Sequence, residues 1–207
     1  MALSFYILTL RTVLISHVPI LGDVQSVTES QVLVTVQNGH AVHQTCAVSV
    51  DATLGKTQLE GGFLSALPTL HYPLAVEEEA LDLLLEPIAM GYQGDLVFPT
   101  HIQHPSVEDS DADGKPGVTI TLQIPILGEV EMLVAQHTRT QLSGQRVAEG
   151  RWEGTAHLVE FEQIILQSGH RLLKEAPEVL PGVGSFVLQE LSGPTSCTGL
   201  TGNNAPS

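Results

Sequence analysis

Basic residues are scarce in this chain of 207 residues. Eight Lys and Arg face 23 Asp and Glu, for a formal charge of −15, and lysine occurs only at Lys56, Lys115 and Lys174. That balance argues against a nucleic-acid backbone or an anionic membrane surface as partner. Aromatic residues are 4% of the chain, too few for a base-stacking platform or a sugar-stacking cleft. The two cysteines, Cys46 and Cys197, exclude a cysteine-based metal site. They either form one disulfide, tying a first-half strand to the C-terminal tail, or remain two thiols.

No long uninterrupted apolar run is present. The apolar stretch from Ala2 to Leu21 is broken by Arg11, Ser16, His17 and Pro19. It is too short to span a bilayer, and it lacks the basic start and small-residue cleavage site of a leader. Its alternation fits a strand, so no transmembrane segment and no signal peptide are read in this chain.

Catalytic motifs are likewise missing. There is no G-x-S-x-G elbow, and Gly55-Lys56-Thr57 lacks the upstream glycine of a phosphate-binding loop. His40/His43 and His101/His104 stand three apart, the wrong parity for sharing one face of a strand, so they read as exposed or hairpin-edge histidines and not as zinc ligands. The acidic run around Glu77–Glu79 with Asp82 and Glu86 reads as a solvated face.

What is present is 43% hydrophobic residues with only 15% charged, the composition of a folded protein. The hydrophobic residues mostly alternate. Leu3–Ser16 reads as a strand, and Val24, Val32, Val34 and Val36 share one face of the next. Asn38-Gly39 predicts a type I′ hairpin turn. The return strand, Ala41–Ala52, puts Val42, Cys46, Val48 and Val50 together, with Cys46 inward. Later, Val118, Ile120, Leu122, Ile124 and Ile126 alternate with polar partners. A strand over Glu131–Gln141 is expected to turn near Ser143-Gly144 and return through Arg151–Gln167, with Val159, Phe161 and Ile165 on one face. Residues 185–191 form a last strand.

Val18-Pro19-Ile20-Leu21-Gly22-Asp23-Val24 recurs, with conservative changes, as Ile124-Pro125-Ile126-Leu127-Gly128-Glu129-Val130. Each copy joins two alternating strands, which suggests an internal duplication. The expected fold is therefore all-β: an antiparallel meander closing into a barrel-like sheet, with a β-sandwich as the alternative. Residues 1–191 form a single domain of two related halves (about 3–60 and 117–191), joined by an irregular 61–116. Residues 192–207 form a flexible tail. Acidic residues and good helix formers favour a short helix near 77–86, although Leu81, Leu83 and Leu85 also fit a strand period.

One stretch carries chemistry. Asp109, Asp111 and Asp113 alternate and are followed by Gly114, so a tight loop can turn three carboxylates onto one hard cation; the alternative is a solvated acidic turn without an ion. In an EF-hand count from Asp109, Lys115 offers its backbone carbonyl at position 7, but position 12 is Ile120, which has no ligating side chain. Helices are not expected on either side, so this is not an EF-hand. The D-x-D-x-D-G pattern resembles the Asp-rich loops of thrombospondin type 3 repeats and related bacterial extracellular modules. With the β-rich body and late cysteine, it resembles secreted or lipoprotein-like bacterial proteins, a group that implies location more than activity. The resemblance implies structural Ca2+ held by Asp109, Asp111, Asp113 and the Lys115 carbonyl. An incomplete ligand set implies weak affinity, on the order of 10⁻⁴–10⁻³ M.

The functional expectation is a secreted, periplasmic or cell-surface calcium-stabilised β protein with a binding or structural role, and not an obvious enzyme. The alternative is a lipocalin-like carrier of an apolar small molecule in a barrel cavity.

Overall fold

The computed structural model describes residues 3–18, 22–53, 55–59, 62–76, 78–125 and 127–201. In chain order the elements are β1 (Leu3–Val18), β2 (Gly22–Gln37), β3 (His40–Ala52), β4 (Gly55–Leu59), α1 (Phe63–Ala66), β5 (Leu70–Pro73), β6 (Ala80–Leu84), β7 (Ile88–Met90), β8 (Val118–Ile124), β9 (Gly128–Ala148), β10 (Arg151–Ser168), β11 (Glu178–Pro181), β12 (Val183–Leu191) and α2 (Cys197–Thr201). The fold is all-β. Among the described residues these strands form one antiparallel sheet, and β10–β12–β1–β2–β3–β4–β8–β9 close into a ring of eight when β9 pairs back to β10. Closure removes the free edges that a long open sheet would expose. No helix among the described residues is long and apolar enough to cross a membrane.

Alternation builds the wall and local chemistry builds the turns. Asn38 and Gly39 both take positive φ (55° and 75°), as a type I′ pair requires. The end pairings of the two similar segments are alike. Val18 pairs with Gly22 and Ile124 with Gly128, and the glycines have φ of 79° and 77°. Pro19, Ile20, Leu21 and Ile126 lie outside the described residues.

Of the four register shifts among the described strand pairs, two split an expected face. Gln31 pairs with Ala47 and Val32 with Thr45, so Cys46 is an extra residue in β3. The expected face of Val42, Cys46, Val48 and Val50 is therefore split. His43 and Thr45 point into the ring before the bulge, as do Val48 and Val50 after it, while Val42 is exposed. Cys46 falls on the side taken by α2, where it forms a disulfide with Cys197. Val159 is the extra residue of a second bulge, between Leu158 and Glu160, and it is 48% exposed while Phe161 and Ile165 remain inward.

Two other expectations fail for tertiary reasons. β9 runs straight through Ser143-Gly144 and turns only at Glu149-Gly150, because Gly144 sits opposite Gly154 in the ladder. The segment near 77–86 is not helical. Residues 80–84 form β6 on β9, burying Leu81, and Leu85 is buried beyond it. Cross-strand pairing and burial there outweigh a modest helix propensity. Glu77 itself is outside the described residues. The connection 61–116 also carries α1, β5 and β7, and the C-terminal region carries α2.

The ring is filled unevenly. At the Asn38-Gly39 end, Tyr6, Leu8, Val34, Tyr72, Trp152 and Phe186 pack in one buried cluster. Further along β1 and β2 the inward residues include Thr12, Ser26, Thr28 and Ser30, beside Leu14 and Val24. Small side chains on the inner face of an eight-stranded ring leave space.

Candidate functional site

Two features of the ring invite a ligand: the space inside it and the Asp-rich loop on its wall.

The interior space has a volume of about 360 Å3. That is within the range of small-molecule sites, near its lower end. It reaches from Leu10, Val32 and Leu85 at the filled end to Ser16, Val24, Ala52 and Ile124 at the other. Val118, Ile120, Leu122, Met132 and Val134 supply an aliphatic wall, and Phe63 of α1 and Met90 of β7 add to it. His43 also lines the space. It is 3% exposed, its Nδ1 lies 3.2 Å from the Tyr72 hydroxyl, and the two rings meet edge to face. Burial without a countercharge lowers the His43 pKa to about 4, so the ring is neutral at physiological pH. The expectation of exposed or hairpin-edge histidines is thus overturned at His43, because the Cys46 bulge reverses the facing of β3.

The Asp-rich loop precedes β8. Ala112 and Gly114 have positive φ (58° and 86°), and Asp109 bridges to Gly117. Asp109 accepts backbone N–H bonds from Asp113 (3.2 Å) and Gly114 (2.9 Å), and Asp113 accepts one from Lys115 (2.8 Å). Thr119, buried at the start of β8, ties the loop to the wall. Its N–H donates to Asp111 Oδ2 (2.8 Å) and its hydroxyl to Asp113 Oδ2 (2.5 Å). On the other side, a Cβ at Gly62 would fall 1.9 Å from the Asp111 carbonyl oxygen, so only glycine lets the chain entering α1 lie against the loop. The loop thus abuts two cavity-lining elements, β8 through Thr119 and α1 through Gly62.

The three aspartates do converge. Each offers a carboxylate oxygen within 4.8 Å of the others. Asp111 is 4% exposed, and its Oδ1 is buried with no hydrogen-bond partner. An orphaned buried carboxylate oxygen beside two further carboxylates is the donor chemistry that suits a hard cation. Burial pushes the Asp111 carboxyl up, as does the neighbouring Asp113 charge, whereas the Thr119 hydroxyl bond holds Asp113 down. Lys115 turns its ammonium to Glu131 (2.6 Å) and lies 3.8 Å from Asp113. Ile120 faces the cavity and not the loop, as expected for a motif without the EF-hand's last ligand.

A polar chain on the outer wall was not legible in the sequence. Tyr92 Oη lies 2.8 Å from His137 Nδ1, His137 Nε2 lies 3.1 Å from Glu160, and Arg139 also pairs with Glu160. Tyr92 is 3% exposed, and burial raises its pKa, so it is a poor nucleophile; the chain braces the 91–117 connection on β9 and β10. No signal short of the strand register would have joined residues so far apart in sequence.

The fold and these two features define a closed antiparallel β-ring with an internal cavity and an acidic loop on its wall. No family model, curated protein or solved structure matches this chain.

Proposed function

We propose that this protein binds an apolar small molecule inside the ring, and that a calcium ion on the Asp109–Asp113 loop stabilises the adjoining wall. The observation that carries the first part is the cavity of about 360 Å3 with its aliphatic lining. A merely structural β protein gains stability by filling such a space, since empty volume forfeits packing energy. The observation behind the second part is the buried Asp111 Oδ1 without a partner. Asp109, Asp111 and Asp113 would hold the ion, with backbone carbonyls such as that of Lys115 and water completing the six to eight oxygens that calcium takes. Its role is structural: it would offset the repulsion of the three carboxylates. A secreted or cell-envelope setting suits both the Cys46–Cys197 disulfide and a millimolar calcium site.

The test of the carrier reading is uptake of an uncharged apolar dye, Nile red, by the purified protein. Saturable binding at one site is expected. It should be abolished by Val50→Trp, which fills the cavity from β3, with the circular dichroism spectrum unchanged. Absence of saturable uptake by the unaltered protein would sink this reading.

A further inference from the structure

The cavity has two chemically different walls, and the ring order makes them face each other. In the closed sequence of eight strands, β1 and β2 stand four places from β8 and β9. The β8–β9 side presents Val118, Ile120, Leu122, Ile124, Met132 and Val134, with Gln136, Thr138 and Thr140 further along β9. Opposite, β1 and β2 present a patch of hydroxyls, Thr12, Ser26, Thr28 and Ser30, with Leu10, Leu14, Val24 and Val32 around it. All four hydroxyl residues are partly buried, and none of them has a side-chain hydrogen bond among the described residues. Hydroxyls turned into a half-dry space need a partner from a ligand or from water.

Charge on the lining is sparse and of one sign. The charged lining residues among those described are Glu86 and Glu175, both exposed, with no Lys or Arg. Arg171 and Lys174 precede Glu175 in sequence but do not line the space. The amides of Gln136 and Gln163, deeper in the ring, bond to each other (3.2 Å). A carboxylate or phosphate brought inside would therefore lose hydration with no cation to receive it. A buried ammonium would likewise meet hydroxyls and no buried carboxylate.

Resting on the carrier reading above, we infer that the cavity selects uncharged amphiphiles, with hydroxyl, ester or amide groups turned to the β1–β2 wall and hydrocarbon to the aliphatic β8–β9 wall. This recognition differs from that of a fatty-acid site, in which a buried cation captures the carboxylate.

The experiment displaces Nile red with four ligands sharing one dodecyl-length chain, each below its micelle concentration: glycerol monododecanoate, dodecanol, dodecanoate and dodecylammonium. The monododecanoate is expected to bind about tenfold or more tighter than dodecanoate and dodecylammonium, and tighter than dodecanol. In Ser26→Ala/Thr28→Val/Ser30→Ala the glycerol ester should lose about tenfold while Nile red affinity holds, as for one or two neutral hydrogen bonds at about 1 kcal/mol each. Failure of the dye to bind overturns the carrier reading. Dye binding with either charged ligand competing as well as or better than the ester overturns this inference alone. So does a folded triple variant that retains full ester affinity. The four-ligand series on the unaltered protein decides the matter if the variant does not fold.

Discussion

Gly144 and Gly154 face each other across β9 and β10, and the ring of Phe186 lies over both of them. A Cβ at Gly144 would fall 2.7 Å from the Phe186 ring and one at Gly154 2.8 Å from it. Both would also fall within 2.4 Å of the opposite strand's carbonyl oxygen. The glycine pair therefore makes the slot that the largest fully buried side chain occupies. Gly154→Ala should cost about 1–3 kcal/mol through overpacking, and Phe186→Ala about 3–5 kcal/mol through the cavity it leaves. Both are read as a lower urea midpoint at unchanged m-value. An unshifted midpoint for Gly154→Ala would contradict the slot.

The neutral, buried His43 makes stability depend on pH. Its folded pKa, about 4, lies below the unfolded value near 6.5, so in that window the unfolded chain binds more protons. Stability from this residue is complete above about 6.5 and is lost as the pH falls toward 4, by up to about 3 kcal/mol at 1.4 kcal/mol per pKa unit. Urea titrations at pH 7 and pH 4.5 should show this slope, and His43→Gln should flatten it. An equal slope in that variant would place the titration elsewhere.

Calcium at millimolar concentration should raise the thermal midpoint relative to chelator, because a ligand that binds only the native state stabilises it. Asp111→Asn should abolish that shift. Without calcium the variant should be as stable as the parent or more so, since it removes a desolvated charge whose pKa burial has raised. Magnesium, which demands tighter octahedral geometry, should substitute poorly. A midpoint indifferent to calcium would remove the ion from the loop.

The Cys46–Cys197 disulfide closes a separation of 151 residues. Chain-entropy arguments put its contribution near 5 kcal/mol, and about 2–4 kcal/mol is usual in practice. Cys197→Ser should lower the urea midpoint accordingly and make it insensitive to reductant. Because Cys46 faces α2 and not the cavity, Nile red binding by the folded fraction should be unchanged.

From its residues alone this chain committed to antiparallel strands, to the Asn38-Gly39 turn and to three carboxylates gathered in one loop. Those are local outcomes: side-chain period sets the faces, positive φ sets the turn, and alternate Asp with glycine sets the loop. The cysteine pairing stood open in the sequence, and the fold settles it. Tertiary structure also decided where the parity breaks. One extra residue at Cys46 and another at Val159 reverse the facing of the residues that follow, until Leu166 shifts it again in β10, and no such bulge has a signature in composition. It decided too that residues 80–84 pair with β9 in place of coiling, and that Gly144 lies within a strand. The cavity is the furthest from local control. Serine and threonine at alternate positions read as any half-buried strand; only the closing of eight strands sets their hydroxyls across an unfilled space from the aliphatic wall of β8 and β9.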